Sequence, residues 1–140
     1  MRGWVYDPHS GGVKIPKPVQ ERTRQRILAH AEKNYAGKFN RIDVRFRGAL
    51  CYIDAYVEPD LPQDFDEKLF GKTREQRLEE MRTFPLHLCR LRYFNDEEKW
   101  TLAFYTYSHD RYEPSVFDNG TFHGTPEEAF DVGAVYLEDR

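Results

Sequence analysis

Between residues 41 and 56 apolar and polar positions alternate. Ile42, Val44 and Phe46 are separated by Asp43 and Arg45, and Cys51, Ile53 and Ala55 by Tyr52 and Asp54. Period two predicts half-buried strands. Gly48-Ala49 between the runs fits a two-residue hairpin turn with glycine first, and such a turn fixes the register. Phe46 then faces Cys51, Val44 faces Ile53 and Ile42 faces Ala55, all apolar. The other face pairs Arg45 with Tyr52, Asp43 with Asp54 and Arg41 with Tyr56.

A second hairpin is predicted from "HLCRLRYF" and "KWTLAFYTYSH", joined by a loop over residues 95–98. Its register sets Tyr93 against Trp100, Leu91 against Leu102 and Cys89 against Phe104 as the core face. The opposite face carries Arg90, Arg92, Thr101, Ala103, Tyr105 and Tyr107. "YEPSVF" is a candidate fifth strand, and "DNG" closes a turn after it.

The helical period takes over elsewhere. Pro18 suits a first helical turn. Val19, Ile27, Ala31 and Tyr35 then recur at helical spacing, with Leu28 beside them, until Gly37 stops the helix. Thr73 with Gln76 three residues on spells a capping box. It opens a helix to about Thr83 that is expected to bury Leu78 and Met81. Thr125, Pro126 and Glu128 open a third helix, burying Ala129, Phe130 and Val132. Val135 and Leu137 are read as an extended tail.

The order helix-hairpin-helix-hairpin-helix predicts a two-layer α+β fold: a four- or five-stranded antiparallel sheet with about three helices on one face. Residues 1–17 read as an extended arm, with Trp4, Val5 and Tyr6 a candidate edge strand. Residues 18–140 form a single domain, consistent with a length of 140. Residues 58–72 are an acidic, proline-bearing loop, long for a compact domain.

Composition sharpens this picture in two ways. Mean hydropathy is −0.82 and 32% of residues are charged, yet aromatics supply 15%, more than a disordered chain carries. The core therefore leans on Phe, Tyr and Trp. No apolar run reaches the roughly 18 residues of a membrane span. The start lacks a signal-peptide h-region. Cys51 and Cys89 fall at core positions, so the expected setting is reducing and cytoplasmic. Charge is uneven: residues 1–58 hold eleven Lys and Arg against six Asp and Glu, and residues 59–140 hold ten against eighteen. Either the halves attract each other in the fold, or the basic half offers a binding face. Arg22, Arg26 and Lys33 make a basic stripe on the first helix.

If helices cover the apolar face, the other sheet face is open. It carries Arg41, Asp43, Arg45, Tyr52, Asp54, Tyr56, Arg90, Arg92, Tyr105 and Tyr107. Arginine and tyrosine carry energy at recognition surfaces, and open sheets with stacking aromatics bind RNA. No RNP-type consensus, phosphate loop or basic tail points to nucleic acid specifically, and a net charge of −3 disfavours tight phosphate-driven binding. The directly opposed Asp43 and Asp54 should repel by about 0.2–1 kcal/mol. A network in which arginines outnumber carboxylates resolves this. A functional carboxylate pair, acid/base or cation-binding, is the alternative. His9, His30, His87, His109 and His123 are scattered without metal-ligand spacing. Ser108, His109 and Asp110 are consecutive and cannot share a strand face as a triad. "HSGGVK" lacks the context of a phosphate loop. No cofactor or metal is expected.

The expected function is a non-enzymatic binding or accessory module using the Arg/Tyr face for a protein or nucleic-acid partner, with no membrane role. The alternative is a small hydrolase or lyase with Asp43 and Asp54 in a pocket on that face.

Overall fold

The computed structural model describes residues 10–138; the candidate edge strand at residues 4–6 lies outside them. It is an α+β structure built on one open sheet. The elements are α1 Lys17–Tyr35, β1 Arg41–Arg47, β2 Leu50–Tyr56, α2 Glu67–Phe70, α3 Arg74–Met81, β3 Leu86–Arg92, β4 Thr101–Thr106, β5 Arg111–Ser115, α4 Pro126–Gly133 and α5 Val135–Glu138. The five strands of the described residues pair antiparallel in chain order.

Both hairpin registers are those the alternation dictates. Phe46 pairs with Cys51, Val44 with Ile53 and Asp43 with Asp54. Cys89 pairs with Phe104 and Leu91 with Leu102. Gly48, at φ +59°, takes the left-handed backbone that the tight turn requires. "RYEPS" is the fifth strand, with Tyr112 opposite Tyr105.

The core lies between the sheet and helices α1 and α4. Val19, Ile27 and Ala31 from α1 and Ala129 and Phe130 from α4 join Ile42, Val44, Ile53, Leu91 and Leu102 in one buried cluster. Ile15 of the arm is fully buried there too, and its N–H donates to the Gly48 carbonyl. The uneven charge meets inside the fold. Arg22 pairs with Glu97 at 2.8 Å, and Arg26 with Glu98 at 2.6 Å and Glu127 at 2.8 Å. Most of the basic stripe therefore clamps α1 to the acidic 95–98 loop and to α4.

Four expectations change. The helix at Thr73 keeps its capping box, but α3 buries no residue, and Leu78 and Met81 are only half-buried. The core cluster is built from α1, α4 and the sheet, and a helix with two apolar side chains among charged ones gains little by joining it. The acidic loop contains α2, capped by Asp66. The tail after α4 is helical, with Leu137 buried but Val135 half exposed. Phe104 is half-buried and stacks on Tyr136 at 5.2 Å rather than joining the central cluster. No helix among the described residues is long and apolar enough to cross a membrane.

Candidate functional site

The sheet face away from α1 and α4 is where the arginines and tyrosines collect, and one irregularity in β3 organises it. Ile53 pairs with Cys89, but the next residue, Asp54, pairs with His87. Leu88 is the extra residue of a β-bulge. The bulge lets Leu88 and Cys89, both fully buried, point to the core side. It also turns His87 onto the opposite face, beside Asp54. A regular strand would have put Leu88 there and His87 in the core.

Asp54 is the centre of the resulting cluster. It is 2% exposed, a rare state for a carboxylate unless it is paired. Arg45 donates from Nη2 to Oδ2 at 2.9 Å, and His87 Nδ1 lies 2.8 Å from Oδ1. Asp43 approaches Arg45 Nε at 3.4 Å. One guanidinium thus bridges the two opposed aspartates and offsets their repulsion, so here the carboxylates outnumber the arginines that pair with them, contrary to the expected network. Burial opposes the charge on Arg45, but Asp54 outweighs it and holds the arginine pKa above its ordinary value. A carboxylate can only accept, so His87 Nδ1 carries the proton, and in the neutral imidazole Nε2 is then the acceptor.

Tyrosines roof this cluster. Tyr112 packs edge-on to Tyr105 at 4.9 Å and to Tyr52 at 5.7 Å, and the His87 ring lies 4.8 Å from Tyr105. Ala103, paired with both Arg90 and Pro114, leaves the room a larger side chain would take. The Tyr112 hydroxyl is buried without a hydrogen-bond partner, and burial followed by the nearby Asp54 charge pushes its pKa up. Tyr105 donates to Asp110, and that bond, with burial, raises its pKa to about 12. Three guanidinium groups lie over tyrosine rings: Arg41 over Tyr56 at 4.2 Å, Arg45 over Tyr52 at 5.1 Å and Arg90 over Tyr112 at 5.3 Å.

Of the ten residues expected on this face, Asp43, Arg45, Tyr52, Asp54, Arg90 and Tyr105 meet around Asp54. Arg41 and Tyr56 form a separate stack at the far end of the hairpin. Arg92 turns to the arm and donates to the Gly11 carbonyl at 2.9 Å. Tyr107, 44% exposed, lies beyond β4, where its hydroxyl accepts from the His87 N–H at 2.7 Å. Sequence reasoning missed His87 and Tyr112. The signal for His87 was present: Leu86 and Leu88 share one parity while Cys89, Leu91 and Tyr93 share the other. Two adjacent apolar residues where the parity slips are what a bulge produces. The signal for Tyr112 was its place in "RYEPS", whose facing depends on pairing with β4.

Other chemistry is limited. Both thiols are free and fully buried, and burial pushes their pKa values up, away from nucleophilic use. Among the described residues, no group of three or more His, Cys, Asp or Glu side chains could hold a metal ion. No protein-family model, curated protein or solved structure matches the chain.

Proposed function

We propose that this protein is a non-enzymatic binding module that presents its Arg/Tyr sheet face to a macromolecular partner, protein or nucleic acid. The observation that carries the reading is the set of three arginines stacked over tyrosine rings on one face. A stacked guanidinium keeps its planar edge for carboxylate or phosphate. Because the rings already order it, less side-chain entropy is lost on binding. Tyr52 and Tyr56, half-buried beside the arginines, offer adjoining apolar surface. The two buried free thiols suit a reducing compartment, and a cytoplasmic location belongs to the same proposal.

A second reading is favoured by one observation, the 2.8 Å contact between Asp54 and His87. A carboxylate-oriented imidazole with an available Nε2 can act as a general base, as a small hydrolase or lyase would need. It takes second place because the Tyr112 roof and the Arg45 bridge account for the same residues as structure.

Fluorescence anisotropy with a short acidic peptide and with an oligothymidylate tests the first reading. Wild type is expected to bind one of them at low salt. An Arg41→Ala/Arg90→Ala double variant, folded by circular dichroism, should bind it at least about tenfold more weakly. Failure of wild type to bind either probe at low salt overturns the proposal.

A further inference from the structure

We infer that the outer edge of β1 is a docking site for an extended acidic peptide, which adds to the sheet as a sixth strand. The inference rests on the binding-module reading and names its partner class. Among the described residues, a sheet with chain-order pairing has two edges, β1 and β5. β5 is short and carries Pro114, which has no N–H to offer a neighbour. β1 is a seven-residue strand without proline. Arg47 and Leu50 flank the two-residue turn as a hydrogen-bonded pair, and pairs alternate from there. The main-chain N–H and C=O groups of Ile42, Val44 and Phe46 therefore face outward.

One contact shows that this edge accepts hydrogen bonds. Arg24 of α1 donates from Nη2 to the Val44 carbonyl at 3.2 Å, and its guanidinium lies 5.1 Å from the Phe46 ring centre. Arg24 occupies the place that a peptide N–H would take. An open depression runs along the same edge, lined by Arg24, Asp43, Arg45, Phe46, Arg47 and Tyr52 among others. Strand addition exchanges the Arg24–Val44 bond for a backbone bond and turns the guanidinium toward the incoming chain.

Charge selects the occupant. β1 carries three arginines and one aspartate, with Arg24 beside them. Edge-to-edge pairing of two copies would bring two such positive strands within about 5 Å, which opposes self-association. An acidic strand meets the opposite situation. Its carboxylates on one side would lie next to Arg45 and Arg47, and one on the other side would lie next to Arg24. Arg47 is exposed and has no ion-pair partner among the described residues. A nucleic acid could use the charges but not the outward row of backbone donors and acceptors, which match another peptide backbone.

The test uses a short fluorescent peptide of alternating glutamate and valine, blocked at both ends. Three controls accompany it: the lysine-for-glutamate peptide, the acidic peptide N-methylated at alternate residues, and an oligothymidylate. Wild type is expected to bind the acidic peptide and not the lysine peptide. N-methylation should weaken binding at least about tenfold, and so should Arg24→Glu/Arg47→Glu. Hydrogen exchange at the Ile42, Val44 and Phe46 amides should slow on binding. The N-methylated peptide tests the backbone on wild type, so the proposal stays open to refutation even if the double variant fails to fold. Peptide binding that ignores N-methylation but falls with Arg90→Ala overturns the edge site and leaves the face reading intact. Binding of oligothymidylate alone does the same. Binding of neither probe overturns both.

Discussion

Replacing Gly133 by alanine sets two physical effects against each other. In a helix interior alanine is favoured over glycine by up to about 1 kcal/mol, and at Gly133, the last residue of α4, that figure is an upper bound on the stabilisation that local propensity predicts for Gly133→Ala. The packing predicts the reverse. A Cβ at Gly133 would lie 2.9 Å from the carbonyl carbon, the carbonyl oxygen and the Cβ of Leu88. Carbon atoms pack at about 3.5–4.0 Å, so helix and strand would have to part by more than half an ångström. Two of the opposing atoms belong to the main chain of the bulge and the third is the Cβ fixed to it, so none can rotate away. Overpacking of this kind costs about 1–3 kcal/mol, which cancels the propensity gain and leaves a net loss of up to about 2 kcal/mol. Urea unfolding followed by circular dichroism measures it, with the slope checked so that the change is assigned to the native state. The His87 ring resonances should shift as well, because the bulge that α4 presses on is what holds His87 against Asp54. Leu88→Ala in the same chain should not rescue the loss, since all three clashing atoms remain. A Gly133→Ala variant more stable than wild type, as propensity alone predicts, or rescue by Leu88→Ala, would refute the argument that α4 sits directly on the bulge.

Asp54→Ala removes the acceptor shared by Arg45 and His87 and should cost about 1–3 kcal/mol, less than a fully buried pair because Arg45 is half exposed and rehydrates. An unchanged unfolding midpoint would contradict that. Magnesium, calcium and manganese should leave the melting temperature of wild type and Asp54→Asn alike, because both Asp54 oxygens are taken; a metal-dependent rise in wild type alone would restore the carboxylate-pair reading. Phe130→Ala empties a fully buried position against Tyr35, 5.2 Å away between ring centres, and should cost about 3–5 kcal/mol in the same unfolding assay. Burial alone would raise the pKa of Glu127, but the hydrogen bonds from Arg26 outweigh it and hold that pKa below its ordinary 4.5. The Arg26–Glu127 contribution to stability is therefore present above about pH 4.5 and is lost as pH falls through the lower folded value. Glu127→Gln should flatten that part of the acid limb, and an unaltered limb would place the dependence elsewhere.

The alternation of residues 41–56 and 87–109, the glycine turn, the four-residue loop and the capping boxes at Thr73 and Thr125 were enough to determine the two hairpins, their registers and the starts of α3 and α4. These are local properties: period two, a turn with a set loop length, and a cap that satisfies the first helical N–H groups. The pairing of Asp43 with Asp54 followed from the same rules. The partners of Asp54 did not. His87 reaches it only because β2 pairs with β3 through a bulge, and a bulge forms when the gain from burying both Leu88 and Cys89 exceeds the loss of regular pairing. That balance depends on α4 covering Leu88, an element some forty residues later in the chain. Tyr112 joins the site because β5 lies beside β4 and the small Ala103 leaves it room. The loss of α3 from the core was likewise decided by competition, since α1 and α4 supplied the helical side of the core. Sequence patterns report what each segment can bury; which segment reaches the core, and which polar groups meet behind it, was settled only when all of them packed together.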